Sequence, residues 1–113
     1  MSSTSKKNEL PRVVSVLGQP FRVHMVPPKE DCVGETHGDT HLIEIDNSLN
    51  SARQWRILLH EYVHATLYIN GLGNVLDGDV EEVIAQSLEY SITQFIHKYG
   101  IQFKEAVEGD RHE

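Results

Sequence analysis

Residues 51–71 read SARQWRILLHEYVHATLYING, and this stretch predicts the helix on which the rest of the fold is organised. Apolar side chains recur in it at steps of three and four residues, and glycine appears only at its end. Ser51 with Gln54 three residues later resembles a capping box, and Asn70-Gly71 is a typical left-handed stop. We therefore expect one amphipathic helix that begins at Ser51 and ends near Asn70.

Three β-type segments precede this helix. Residues 12–17 and 21–26 are rich in β-branched and aromatic side chains and flank Gly18-Gln19-Pro20, which is typical of a hairpin. Residues 41–45 favour a third strand, whereas the polar stretch before them, through Gly38, indicates a loop. The expected result is a small antiparallel sheet of about three strands.

A second amphipathic pattern follows the helix. Apolar residues recur from Val80 to Ile96, so a second helix is expected to begin near Asp79 and to end before Gly100. A helix of ~20 residues is ~30 Å long, which is enough to pack along the first. The predicted fold class is therefore α+β, with the small sheet packed on two main helices.

Length and composition fit one domain. The chain has 113 residues, of which 39% are hydrophobic and 24% charged, so it can build a single small core. Residues 1–11 are polar and predict a disordered leader. Residues 12–100 form the predicted domain, and residues 101–113 form a polar C-terminal tail.

The charge balance excludes several classes of partner. Seventeen acidic and ten basic residues give a formal net charge of −7, which disfavours nucleic acid and anionic membrane surfaces as ligands. No apolar run approaches the ~20 residues of a membrane span, and the lone Cys32 rules out an internal disulfide. We expect a soluble protein of the cytoplasm.

The predicted first helix contains the H-E-x-x-H pattern as His60-Glu61-Tyr62-Val63-His64. On a helix, His60 and His64 lie ~40° apart around the axis, so both imidazoles can reach one metal ion. Glu61 falls beside them, where a carboxylate can accept a proton from water as a general base. The pattern favours a Zn²⁺ hydrolase, and two surface histidines with a solvated glutamate are the alternative.

A third metal ligand is expected from the second helix. Ala85, one turn after Glu82, would let the two helices approach closely, which leaves Glu82 within reach of the same ion. Glu82 also lies on the more polar stripe of this helix. An error of one residue in helix phase would make Glu81 the ligand instead. A capping-box role with Asp79 is the other alternative for Glu82.

These residues resemble the motif of a known class of enzymes. With His60, Glu61, His64 and Glu82, the chain resembles a gluzincin from about residue 14 to 99, and it is similar to small phage-encoded ImmA/IrrE-like metallopeptidases. The resemblance implies that the two histidines and Glu82 bind zinc and that Glu61 is the general base. For a phage-encoded protein, the compartment would be the host cytoplasm.

One position departs from that resemblance. Many gluzincins have an aspartate directly after the alanine of E-x-x-A, where it orients a ligating histidine. Gln86 stands at that position here. We expect Glu89 or a backbone carbonyl to replace the missing support.

The leading functional prediction is a zinc-dependent metalloendopeptidase that cleaves a peptide or protein substrate. An edge strand within residues 41–45 is expected to hold the peptide by strand addition. Because a chain of this size has little room for deep pockets, a second copy or a protein partner is expected to complete the site. The alternatives are a non-catalytic metal-binding module that regulates or binds a protein, and a helix pair that binds no metal.

Several other side chains are weaker candidates. His37 and His41 lie four residues apart in a loop, where that spacing does not bring two side chains to one ion, so exposed turn positions are expected. Trp55 is expected to anchor the core of the first helix. The candidates for a hydrogen-bond donor to a tetrahedral oxyanion are Tyr62, Tyr68, Tyr90 and His97.

Overall fold

The computed structural model describes residues 9–111, which begin with strands and end with helices. The strands are β1 (Val13–Val16), β2 (Gln19–Val26), β3 (Gly34–His37) and β4 (Leu42–Asp46). The helices are α1 (Ser51–Ile69) and α2 (Gly78–Arg111), with a short 3-10 helix at Leu72–Asn74 between them. Most of the predicted leader, residues 1–11, and the last two residues of the predicted tail lie outside the described residues.

The four strands form one mixed sheet in the order β1-β2-β4-β3. The pairs β1–β2 and β3–β4 are antiparallel, whereas β2 and β4 run parallel. The predicted α+β class with two helices is confirmed, but the sheet has four strands rather than about three, and it is not wholly antiparallel. The missed strand, β3, reads Gly-Glu-Thr-His and carries no apolar alternation that would predict a strand.

The predicted hairpin is present with a tighter turn than expected. Leu17 and Gly18 both have positive φ, 49° and 83°. A two-residue loop with positive φ at both positions is the type I′ geometry, whose twist matches that of the flanking strands. Gln19 and Pro20, which were expected in the turn, are the first residues of β2.

The core lies between one face of the sheet and α1. Val16, Phe21, Ile43 and Ile45 are completely buried on the sheet side and pack against buried side chains of α1. A second, smaller cluster joins α1 to α2 through Val63, Leu67 and Ala85. Trp55 is 43% exposed, so the prediction that it anchors the core is wrong.

The ends of α1 correct one expectation and confirm another. Asn50, not Ser51, is the N-cap, and its side-chain oxygen accepts a hydrogen bond from the backbone N–H of Arg53 at 2.9 Å. The side-chain amide of Gln54 donates a hydrogen bond to the carbonyl of Leu49, which precedes the helix, at 2.9 Å. At the other end, Gly71 has a φ of 87° and follows the last helical residues, as the sequence predicts.

α2 is longer than expected. The helix runs through Gly100 to Arg111, so the prediction that it ends before Gly100 is wrong. A mid-helix glycine costs only ~1 kcal/mol relative to alanine, and the residues around it favour the helix. Within residues 9–111, neither helix carries an apolar stretch of the length that a bilayer crossing requires.

Gly34 marks the closest approach of β3 to α1. A Cβ atom there would lie 2.5 Å from Cγ2 of Ile57 and 3.1 Å from Oε2 of Glu61. We expect Gly34→Ala to lower the free energy of unfolding by about 1–3 kcal/mol, as overpacking of a tight contact does. Urea denaturation measures the effect. Gly78→Ala is the control, since a Cβ there meets no atom within 4 Å, and equal losses in both variants would contradict the close approach.

Because of two carboxylates on β4, the free energy of unfolding is expected to vary with pH in the acid range. The hydrogen bonds with Lys29 and then with His37 hold the pKa of Glu44 below its ordinary 4.5. Hydrogen bonds from the Ser48 hydroxyl and backbone N–H hold the pKa of Asp46 below its ordinary 3.8. Each group therefore stabilises the fold fully above its ordinary pKa, and this contribution is lost as the pH falls through the lowered value.

We accordingly expect the urea concentration at the midpoint of unfolding to decrease as the pH is lowered below about 4.5. In Glu44→Gln, the part of this acid dependence that arises from Glu44 should disappear. Glu105→Gln on the exposed part of α2 is the matched control and should keep the wild-type profile. Identical profiles for wild type and Glu44→Gln would contradict the assignment.

Candidate metal centre

His60 and His64 lie on the same face of α1 and point toward α2. Their ring centroids are 5.1 Å apart. The two side chains are only 12% and 19% exposed, respectively. The helical spacing of the motif therefore brings the two imidazoles together, as the sequence predicts.

Glu82 joins these histidines from the start of α2. Its Oε2 lies 3.1 Å from Nε2 of His60, and its Oε1 lies 3.0 Å from Nε2 of His64. The three potential ligand atoms lie within 4.8 Å of one another. Ala85 is fully buried in the contact between the helices. The small side chain thus permits the close approach that places Glu82 beside both rings.

The other nitrogens of the two rings face different carboxylates. Nδ1 of His64 lies 2.6 Å from Oε2 of Glu81, and Nδ1 of His60 lies 3.2 Å from Oε1 of Glu89. Glu89 is 8% exposed, and its second oxygen accepts hydrogen bonds from Arg56. Glu81 is therefore placed to orient the ring of His64 and not to act as a ligand beside Glu82. Glu89 lies beside His60, where it could give the support expected of the position that Gln86 occupies.

The capping alternative for Glu82 does not match the structure. The carboxylate of Asp77 accepts the hydrogen bond from the backbone N–H of Asp79 at 2.9 Å. The backbone N–H of Glu81 donates to the carbonyl of Asp77. Both carboxylate oxygens of Glu82 face the histidines instead.

The donor set has the chemistry that a cation requires. A neutral imidazole has one N–H, and donation from Nδ1 to Glu81 or Glu89 leaves a lone pair on Nε2. In that tautomer, both Nε2 lone pairs face the carboxylate of Glu82, and a cation between them would balance the contact. Two imidazole nitrogens and one carboxylate oxygen are the protein ligands of an open zinc site, so the residues fit this ion.

The acidic surroundings also favour a positive charge on His64. Burial by itself lowers the pKa of His64. The hydrogen bond with Glu81, the charge of Glu61 and the hydrogen bond with Glu82 outweigh it, and the pKa lies above the ordinary 6.5. The same carboxylates that favour a proton there would favour a metal ion.

Glu61 lies between α1 and β3, beside the two histidines. It is only 7% exposed, and the hydroxyl of Thr36 donates to its Oε1 at 2.7 Å. Burial raises the pKa of Glu61 above the ordinary 4.5. The hydrogen bond from Thr36 and the charges of His64 and His60 act in the opposite direction. A carboxylate with a raised pKa next to a candidate metal site is suited to general-base work.

An open cleft of about 830 Å³ runs between β3 and the two helices. Gly34, Thr36 and Gly38 line it from β3 and the following loop, and the candidate metal site forms its opposite wall. Because β3 is an outer strand of the sheet, one of its edges is unpaired within the sheet. The prediction of an edge strand at residues 41–45 is wrong, since β4 pairs with strands on both sides.

Of the four residues predicted as donors to an oxyanion, two line the cleft and two lie elsewhere. Tyr68 and Tyr90 line the cleft. The hydroxyl of Tyr62 instead donates to the carbonyl of Ser15, on the sheet side of α1, and His97 does not line the cleft. Thr36 was missed by sequence reasoning, because it lies in a polar stretch without periodicity and only the folded register brings it to Glu61.

A second group of potential ligands lies on β3 and β4. Ligand atoms of Glu35, His37 and Glu44 lie within 4.8 Å of one another. The ammonium of Lys29 lies 3.1 Å from Glu35 and 2.8 Å from Glu44. This lysine already supplies the positive charge that the two carboxylates require, so the group is an ion-pair network. His37 is half-buried in it rather than exposed in a turn.

Comparison with known proteins gives no relative. No protein-family model, no curated protein and no solved structure matches the chain.

The two carboxylates behind the histidines give a testable expectation. Glu89→Gln and Glu81→Gln should each weaken zinc binding by about 10- to 100-fold, because carboxylates that hold ligating imidazoles have effects of this size. Competition with a chromophoric chelator measures the affinity. Gln86→Ala is the matched control on the same helix and should change it little. Wild-type affinity in both glutamine variants would contradict the orienting role.

Proposed function

We propose that the protein is a zinc-dependent hydrolase, a metalloendopeptidase in which His60, His64 and Glu82 hold the ion and Glu61 is the general base. The observation that carries the proposal is the convergence of three ligand atoms within 4.8 Å beside a buried glutamate. A purely structural site has no use for such a carboxylate, and structural zinc sites have four protein ligands. The three candidate ligands leave a coordination position open.

Zinc, when bound, polarises the scissile carbonyl and lowers the pKa of water toward ~7. The chain itself supplies the proton transfers. The Thr36 hydroxyl holds Oε1 of Glu61, and Glu61 lines the cleft next to Gly34, which has no side chain to cover Oε2. Oε2 can therefore accept a proton from the attacking water and then deliver it to the leaving amine.

The cleft fits an extended peptide as the substrate. Its volume of about 830 Å³ lies in the range of binding clefts. The outer edge of β3 offers backbone N–H and C=O groups along one wall, which suits strand addition. A peptide held there would pass its backbone in front of the histidines.

Cleavage of an unfolded protein by the zinc-loaded chain tests this function. We expect reduced, unfolded casein to be cut into fragments in the presence of zinc. Cleavage should stop when a chelator is added and resume when zinc is restored. Mass spectrometry of the fragments would locate the cut bonds. If a diverse peptide mixture remains intact with zinc-loaded protein, the hydrolase proposal is contradicted.

A further inference from the structure

The C-terminal half of α2 carries large apolar side chains on its surface. α2 has 34 residues and is ~51 Å long, whereas its buried contact with α1 involves residues near its start, such as Ile84 and Ala85. Farther along, Phe95 and Tyr99 are each 46% exposed and Phe103 is 58% exposed. Such a surface favours association with a partner.

These side chains form one stripe with internal symmetry. Ile92, Phe95, Tyr99, Phe103 and Ala106 fall within an arc of ~80° on the helix. Phe95 contacts both Tyr99 and Phe103, with ring centroids 5.4 and 5.8 Å apart. Relative to Tyr99, the other members lie four and seven residues away on each side. The stripe therefore has the same spacing in both chain directions.

We propose that two copies of this chain pair through this stripe as antiparallel helices, with the two-fold axis at Tyr99. Phe95 of one copy then faces the partner's Phe103, and Ile92 faces the partner's Ala106. Closed two-fold pairing through one self-complementary patch is the commonest form of homo-oligomer. The pattern favours a second copy because another protein would not need a stripe that is symmetric about its centre.

The charge and the area of this segment agree with self-association. Residues 91–111 carry three basic and three acidic side chains, whereas the whole chain has a net charge of −7, so two copies do not repel one another at this place. The four large side chains of the stripe, together with Ile96 and Val107 at its border, which are 57% and 43% exposed, would each remove on the order of 100 Å² per copy and so bury ~1,200 Å² in total. This area is at the lower limit for a stable dimer.

The pairing is independent of the metal centre. Glu82 lies 17 residues before Tyr99, so the two sites of an antiparallel pair would be ~51 Å apart at opposite ends. Both clefts would remain open. Failure of the dimer would therefore leave the proposed function untouched, and failure of the hydrolase would leave the dimer.

Sedimentation velocity with matched variants tests the proposal. Wild type should sediment as a dimer at high micromolar concentration, and Phe103→Glu as a monomer with an unchanged far-UV circular dichroism spectrum. Ile101→Glu is the control. Ile101 is 74% exposed but lies on the opposite side of the helix, so this variant should remain dimeric. A monomeric wild type, or equal dissociation in both variants, would overturn the proposal.

Cross-linking tests the position of the axis. In a Cys32→Ser background, Tyr99→Cys should give a covalent dimer with a short bis-maleimide, because the two thiols meet at the axis. Ile101→Cys places its thiols on the outer faces and should cross-link far less. Equal cross-linking at both positions, or a product with a different protein in place of the second copy, would contradict antiparallel pairing at Tyr99.

Discussion

Replacement of Glu61 by glutamine is expected to reduce peptide hydrolysis by about 10²- to 10⁴-fold, the usual contribution of a general base. The amide retains an oxygen that can accept the hydrogen bond from Thr36, so the local packing should persist. The glutamine amide cannot accept a proton from water at neutral pH. Because none of the three metal ligands changes, zinc content should remain near that of the wild type.

The measurement is the initial rate of cleavage together with the bound zinc in the same samples. Glu35→Gln is the matched control, since Glu35 also lines the cleft but forms an ion pair with Lys29 on the sheet. This variant should keep most of the activity. Full activity in Glu61→Gln would contradict the general-base role, even if zinc is present.

Loss of Glu82 is expected to have the second large effect, on metal binding itself. Glu82→Ala removes the carboxylate that lies 3.0–3.1 Å from both histidines. The fall in zinc affinity should exceed the 10- to 100-fold expected for an orienting carboxylate, which is about the limit of an indirect effect. At zinc concentrations of about 100 times the wild-type dissociation constant, the wild type should gain ~2.7 kcal/mol of stability, and the variant should gain little.

Thermal unfolding with and without zinc measures this difference. Glu81→Ala is the informative control, because the carboxylate of Glu81 lies beside Nδ1 of His64, whereas Glu82 lies beside Nε2. It should retain part of the zinc-dependent stabilisation. If Glu81→Ala loses the zinc effect while Glu82→Ala keeps it, the two glutamates have exchanged roles and the ligand assignment is contradicted.

The position of the two histidines beside each other could be predicted because their geometry is local. A spacing of four residues on a helix fixes the relation of His60 and His64 without any knowledge of the tertiary fold. Glu82 was within reach of prediction because Ala85 marks the place where the two helices can meet. Which histidine nitrogen each of Glu82, Glu81 and Glu89 faces depends on the rotation of α2 about its own axis relative to α1. Only the packed structure fixes this rotation.

The rest of the site depends on contacts that are distant in sequence. Thr36 reaches Glu61 across 25 positions, and it lies on a strand whose four residues lack an apolar pattern. The placement of β3 at the edge of the sheet follows from the parallel pairing of β2 and β4, which short strand signals do not reveal. For the same reason, the wrong strand was expected to form the edge.

The predictions for Trp55 and Gly100 are wrong because burial of a tryptophan and the end of a helix both depend on tertiary packing, which local sequence does not reveal. Trp55 lies near the start of α1 and remains 43% exposed. Gly100 is tolerated inside α2 because the helical stretches on both sides outweigh its local cost.

The most direct test of the central claim is the metal content and coordination of the purified, zinc-reconstituted chain. Elemental analysis combined with X-ray absorption at the zinc edge should give one zinc per chain, bound by two imidazole nitrogens, a carboxylate and a solvent oxygen. A stoichiometry near zero, or a shell of four protein ligands without solvent, would contradict a catalytic centre built from His60, His64 and Glu82.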